Sequence, residues 1–218
     1  MTTRPLIVTG TDTGIGKTVF AAGLAGALEA HYWKPIQAGL DEDHTGATDA
    51  ERVARLSGLP PQKIVPEVYK LETPCSPHRA AEIDGVTIDP ARLDLPNVPG
   101  PLIIEGAGGV LVPISRTETY VDQFARWRAP AVLVARTQLG TINHTLLSIE
   151  ALRSRGVPIL GIAFVGLAQP DSEATIEDMG GVRRLGRLPP LNVLTRESLA
   201  HAFAEHFRAD DFLAEALA

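Results

Sequence analysis

The feature that most constrains this chain is the run LIVTGTDTGIGKT, Leu6 to Thr18, in which a short apolar stretch passes through a glycine-rich loop into an alanine- and leucine-rich segment. The β-branched residues ending on Gly10 read as a strand, and Lys17 to Ala30 reads as a helix. A strand, a glycine turn and a helix in that order converge backbone N–H groups on one point, and the helix N-terminus adds partial positive charge there. Phosphate is the guest that such a point selects. The spacing is nevertheless one residue out. The pattern G-x-x-x-x-G-K-[ST] ends correctly on Gly16, Lys17 and Thr18, but its first glycine falls on Thr11, one place after Gly10. On the phosphate reading Lys17 reaches β- and γ-phosphate oxygens and the Thr18 hydroxyl ligates Mg²⁺. The alternative is a glycine-rich turn with no ligand. A dinucleotide fingerprint fits worse, because after Gly14 and Gly16 its third glycine falls on Val19.

Alternation continues along the chain. Residues 31–39, 101–109, 130–137 and 158–166 are strand-like, as is 6–10; Asp49 to Ser57 and Asn143 to Arg155 are helical, with Gly58 and Gly156 placed to close them. Strands apolar on both faces and joined by helices predict an α/β fold, a single domain over 1–218 built as a three-layer parallel sheet with helices on both faces. Ligands of such sheets bind at the carboxyl ends of the strands. The chemistry-bearing residues fall there: 10–18, 34–39, 105–109 and 137–144. The proline-rich stretches 60–77 and 90–101 read as excursions over the sheet edge.

With 218 residues, 44% hydrophobic and 21% charged, the chain is long and apolar enough for a substantial core. Its apolar runs fall far short of the roughly 20 residues needed to span a bilayer. The N-terminus has no secretory pattern, so a cytoplasmic protein is expected. A net charge of -6 with scattered basic residues gives no nucleic-acid footprint. Cys75 is the sole cysteine, which excludes an internal disulfide, and it is expected to be structural.

Several polar residues demand a partner. Glu105 ends an apolar run, the place from which a carboxylate reaches a metal beside a phosphate loop; otherwise it is a solvated cap. Asp49 reads first as the N-cap of the following helix. Lys34 in YWKPIQAG points either to water or to an acid or anionic ligand. His31 and His44 have no partner at metal-ligand spacing, and G-x-S-x-G and H-E-x-x-H are absent.

VTGTDTGIGKT, KPIQAG, ATDAERV, TPCSPHRAA, IEGAGG, TQLGTINHTLLSIEAL and LGRLPPL, spread over nearly the whole length, together resemble the dethiobiotin synthetases. Their phosphate loop carries the same one-residue displacement. The resemblance implies the P-loop NTPase type of sheet and a homodimer with the substrate site at the subunit interface. It also implies carboxylation and ring closure of 7,8-diaminononanoate with CO₂ and ATP, with Mg²⁺ as cofactor. By the same resemblance Lys17 and Lys34 are catalytic, and Thr18, Asp49 and Glu105 hold the metal. Thr13, Gly14, Ile15, Gly16, Lys17, Thr18, Glu105, Gly106, Gly108, Val165, Pro189 and Leu191 contact the nucleotide. Asp12, Lys34, Ala38, Ser76, Gly140, Thr141 and Asn143 serve the substrate, the last three across the dimer. Ala38 stands where the family often has a hydroxyl. Val165 and Gly166 stand where members that read adenine often carry Asn-Asp, which predicts weak discrimination among nucleoside triphosphates. A partitioning or division-site switch ATPase is the competing reading, but its signature lysine would stand at Asp12. The C-terminal segment is also not a basic membrane-seeking helix. A glutamine-dependent amide synthetase would require a further domain.

Overall fold

The computed structural model describes residues 3–40 and 47–213, so His44 lies outside the described residues. In chain order the elements are β1 (Thr3–Gly10), α1 (Lys17–Ala27), β2 (His31–Trp33), β3 (Ile36–Ala38), α2 (Asp49–Ser57), β4 (Ile64–Val65), β5 (Tyr69–Leu71) and α3 (Pro77–Ile83). There follow β6 (Gly100–Glu105), α4 (Tyr120–Trp127), β7 (Ala131–Arg136), α5 (Thr141–Ser154), β8 (Ile159–Val165), α6 (Pro170–Gly180), β9 (Arg184–Leu188), α7 (Arg196–His206) and α8 (Asp210–Leu213).

Seven strands form one sheet in the order β4-β2-β6-β1-β7-β8-β9. Every neighbouring pair is parallel, which requires crossover connections, and helices on both faces supply them. Because successive strand residues point to opposite faces, Ile7 and Leu133 pack with Phe124, Ile149 and Ile176 of α4, α5 and α6. Val8 and Val134 pack with Phe20, Val53, Phe203 and Phe212 of α1, α2, α7 and α8 on the other face. This is the three-layer arrangement that the alternation predicts. The chain leaves β1 through α1 on one face and β6 through α4 on the other. A crevice therefore opens between the carboxyl ends of those two adjacent strands.

The sequence reading of 31–39 as one strand needs correction. β2 stops at Trp33, and β3 leaves the main sheet to pair with β5 in a separate two-stranded ribbon. Pro35 between them has no N–H for a ladder, while its carbonyl accepts from Val68 and Tyr69 N–H groups at 2.9 and 3.1 Å. Lys34 sits at that corner, off the end of the main sheet. Other differences are at element ends. The strand expected over 101–109 stops at Glu105, and α5 begins at Thr141 because Gly140, at φ 93°, turns the chain into it. The excursion after residue 60 contributes β4, which covers the sheet edge beside β2.

α1 is anchored from behind by an aromatic cluster. Phe20 lies 5.7 Å from Phe203 and 5.4 Å from Phe207, ring centre to ring centre, and Phe203 stacks on Phe207 at 4.6 Å. All are buried. We expect Phe203→Ala to cost about 3–5 kcal/mol, read as a lower urea midpoint at unchanged slope. A loss under about 1 kcal/mol would show that the cluster is not what seats α1.

Candidate active site

The loop after β1 explains its own spacing. A Cβ on Gly10 would stand 2.7 Å from Ile15 Cδ1 and 2.8 Å from Lys17 Cδ, so the lysine stem crosses the backbone at position 10. Glycine is needed there, whereas Thr11 one place later only donates its N–H to the Val134 carbonyl at 3.1 Å. Gly16 caps α1 with φ 95°, and a Cβ on it would meet Val165 Cγ1 at 2.9 Å. No side chain caps the first N–H groups of α1, which leaves them directed at the cleft. Lys17 Nζ donates to the Asp12 carbonyl at 2.6 Å. Burial lowers the pKa of Lys17 to about 8 against the pull of Glu105, and the nearby Lys34 ammonium adds to that lowering.

Next to this loop the carboxyl ends of β2 and β6 meet the amino end of α2. Thr18 Oγ1 lies 2.7 Å from Glu105 Oε1 and 3.1 Å from Asp49 Oδ1; its one proton serves one acceptor at a time. The Lys34 ammonium pairs with Asp49 Oδ2 and stands 3.5 Å from Glu105 Oε1. Glu105 is fully buried and Lys34 is 6% exposed, so neither is the solvated group that sequence leaves open. Burial alone would lower the Lys34 pKa, but Glu105 and Asp49 outweigh it and hold it above the usual lysine range. Burial likewise works against the Asp49 charge, and Lys34 with the Thr18 hydrogen bond reverses that, leaving Asp49 below the usual carboxylate range.

Asp49 is not the N-cap of α2. Thr48 is, with Glu51 completing a capping box: Glu51 N–H donates to Thr48 Oγ1 at 3.2 Å and Thr48 N–H to Glu51 Oε2 at 2.8 Å. The cap frees the Asp49 carboxylate for the cleft. Gln37 holds the helix start in place, accepting from Asp49 N–H at 3.1 Å and donating to the Gly39 carbonyl at 2.8 Å.

These groups line one cleft of about 540 Å³. Thr13, Gly14, Gly16, Lys17, Thr18, Lys34, Ala38, Asp49, Ser76, Glu105 and Gly108 all contribute to it, as does Cys75. Other expected residues lie outside its lining. Ile15 packs into the core, and Gly106 lies under the loop, where a Cβ would meet Phe124 Cζ at 2.9 Å. Val165 abuts Gly16, and Pro189 and Leu191 follow β9. Asp12 turns outward, with its Oδ2 3.8 Å from Arg136 Nη2. Gly140, Thr141 and Asn143 form the start of α5; Asn143 is exposed, and buried Thr141 meets Thr145 at 3.4 Å between hydroxyl oxygens. Sequence reasoning missed Tyr32, whose hydroxyl donates to Glu105 Oε2 at 2.8 Å. Burial first, then the charges of Glu105 and Asp49, keep that hydroxyl protonated. Its position two residues before Lys34 is the signal that marks it.

No cluster of three His, Cys, Asp or Glu side chains suited to a metal exists among the described residues. Mg²⁺ does not require one: it takes one or two carboxylates and completes its shell with waters and phosphate oxygens. Asp49 and Glu105 each present a hard oxygen within hydrogen-bond reach of Thr18 Oγ1 beside the phosphate loop, a donor set that fits.

An AAA-domain family model matches residues 4–198. The ATP-dependent dethiobiotin synthetase BioD of Rhodopseudomonas palustris (strain HaA2) is 63% identical over 211 residues, 97% of each chain. That of Novosphingobium aromaticivorans is 64% identical over 206 residues, covering 94% of this chain and 98% of the relative. Among solved structures, the cell division ATPase MinD of Pyrococcus furiosus superposes with a TM-score of 0.52 at 16% identity, covering 95% of this chain and 97% of that one. A ParA family ATPase from Chlorobium tepidum gives 0.52 at 12% identity, covering 94% and 98%. The division and partitioning ATPases thus share the fold, whereas the near-full-length identities above 60% carry the kinship: the chain belongs to the ATP-dependent dethiobiotin synthetase family.

Proposed function

We propose that residues 1–218 act as one synthetase domain that converts 7,8-diaminononanoate, CO₂ and ATP into dethiobiotin, ADP and phosphate. The observation that carries this reading is the buried Lys34 ammonium, held between two acids beside a phosphate loop in a member of this family. One amine of the substrate attacks CO₂, a C–N bond forms, and the nitrogen loses a proton to give a carbamate. A carbamate oxygen then attacks the γ-phosphorus and the bridging P–O bond to ADP breaks. The second amine attacks the carbonyl of the resulting carbamic-phosphoric anhydride, a C–N bond forms and the C–O bond breaks, and phosphate leaves with the amine's proton released as the cyclic urea closes.

The chain supplies position and charge for these steps. Thr13 to Thr18 direct backbone N–H groups at the polyphosphate, and the Lys17 ammonium swings from the Asp12 carbonyl to its oxygens. Lys34 contacts the carbamate and the transferring phosphoryl group, whose negative charge spreads over its equatorial oxygens. Thr18, Asp49 and Glu105 would hold Mg²⁺, which supplies positive charge against the phosphate oxygens. Ser76 and Ala38 border the diamine and Asp12 stands at the substrate end of the loop. In a homodimer, Gly140, Thr141 and Asn143 serve the neighbouring subunit's substrate carboxylate. Val165, Pro189 and Leu191 border the base, with Ile15, Gly106 and Gly108 shaping the phosphate side.

ADP release is expected to require the diamine, bicarbonate and Mg²⁺ jointly; equal ADP release without the diamine would favour a switch ATPase. Lys34→Ala is expected to lower turnover by about 10²–10³-fold while ADP affinity in the presence of Mg²⁺ stays within a few-fold. Loss of ADP binding with normal residual chemistry would contradict the role. At the base site, Gly166 has its N–H on the Leu188 carbonyl and its carbonyl already accepting from Arg187 Nη1, each at 3.0 Å. With so little left to read a base, CTP and GTP are expected to support turnover with KM within about tenfold of ATP; values about a thousandfold higher would overturn this.

A further inference from the structure

The two oxygens of Glu105 have different company. Oε1 belongs to the cleft, 2.7 Å from Thr18 Oγ1 and 3.5 Å from Lys34 Nζ. Oε2 accepts the Tyr32 hydroxyl at 2.8 Å. Tyr32 is fully buried, and its ring packs in the layer of α1 and α2. Its backbone lies in β2 in register with Ile103, two residues before Glu105 on the adjacent strand. The hydroxyl is thus fixed by two neighbouring strands of the sheet, whatever occupies the cleft.

We propose that Tyr32 is a positioning residue for the divalent cation, its hydroxyl pinning Glu105 Oε2 so that Oε1 alone is presented to the metal. This rests on the reading of Thr18, Asp49 and Glu105 as metal ligands. A carboxylate free to rotate would offer both oxygens to the Lys34 ammonium and close the position that the metal needs. Tyrosine suits the task because it is a neutral donor: it satisfies one oxygen without cancelling the carboxylate's charge, as a lysine or arginine would. The phenolic ring also fills the apolar layer, so the anchor costs no unpaired polar group inside it.

The test is Tyr32→Phe, which keeps the ring and deletes one oxygen. Mn²⁺ is titrated into full-length protein saturated with ADP and read by electron paramagnetic resonance. The expected result is Mn²⁺ affinity weakened by about tenfold or more, with metal-free ADP affinity unchanged. The Mg²⁺ concentration for half-maximal turnover rises in parallel, and excess Mg²⁺ restores kcat. Ile103→Val, a packing change on the same face that leaves the hydroxyl in place, should leave Mn²⁺ affinity as in the unmodified protein. Equal Mn²⁺ affinity in Tyr32→Phe, failure of Mg²⁺ to restore kcat, or an equal loss in Ile103→Val would each overturn the role of Tyr32. Absence of Mn²⁺ binding in the unmodified protein would instead remove the metal-ligand reading beneath it.

Discussion

The arrangement depends on one cation between two acids, buried Glu105 and half-buried Asp49. At an effective dielectric of about 20, like charges about 4 Å apart repel by about 4 kcal/mol. Asp49 and Glu105 share the Thr18 hydroxyl, so their carboxylates lie close together and an opposing charge is needed beside them. Lys34 supplies it. Removing one member of such a buried group costs about 3–5 kcal/mol, because the charges left behind are uncompensated. Backbone architecture places the lysine: Pro35 ends β2, turns the chain away into β3, and leaves Lys34 at the corner. A proline in the backbone therefore decides where the cation stands.

The parallel sheet explains why all of this gathers at one edge. β1, β2 and β6 run the same way, so the loop at Gly10, Lys34 and Glu105 emerge together. Only Asp49 comes from elsewhere, and its helix is docked by Gln37 and started by Thr48. Division and partitioning ATPases share the sheet at 12–16% identity, so the sheet itself does not choose between a switch and a synthetase. The near-full-length identities above 60% do. In the loop itself the Asp12 backbone carbonyl holds Lys17 while its carboxylate faces Arg136.

Sequence pattern exposed those parts of the molecule where local rule and tertiary structure agree. The β1–loop–α1 unit and the buried strands β7 and β8 were plain from their β-branched runs, and α2 was legible to the residue. β9 was not, because its sequence, RLGRL, lies at a sheet edge, where two arginines face buried Glu173 and break the apolar run. α6 and α7 bury only a few residues each and show no strong stripe. In the site, Asp49 reads as the cap although the spacing Thr48-x-x-Glu51 already spells a capping box one residue earlier. Tyr32 carried only the weak signal of its place two residues before Lys34, because its partner, Glu105, is 73 residues away and meets it through strand order.

Counting charge in the cleft shows what the folded protein is prepared to receive. Lys17 and Lys34 balance Asp49 and Glu105, so the cluster is formally neutral before any ligand arrives. Within it the two lysines are inequivalent. Lys34 is held charged by the acids, whereas Lys17 is pushed down to about 8, its ammonium satisfied by a carbonyl rather than an anion. A polyphosphate therefore gives Lys17 the counter-charge it lacks. A divalent cation, if the acids take one as proposed, would relieve Lys34 of the task of neutralising them. On the proposed reading each ligand would improve the site for the other by ordinary Coulombic exchange, and the ammonium so released would be that of buried Lys34 beside the phosphate loop.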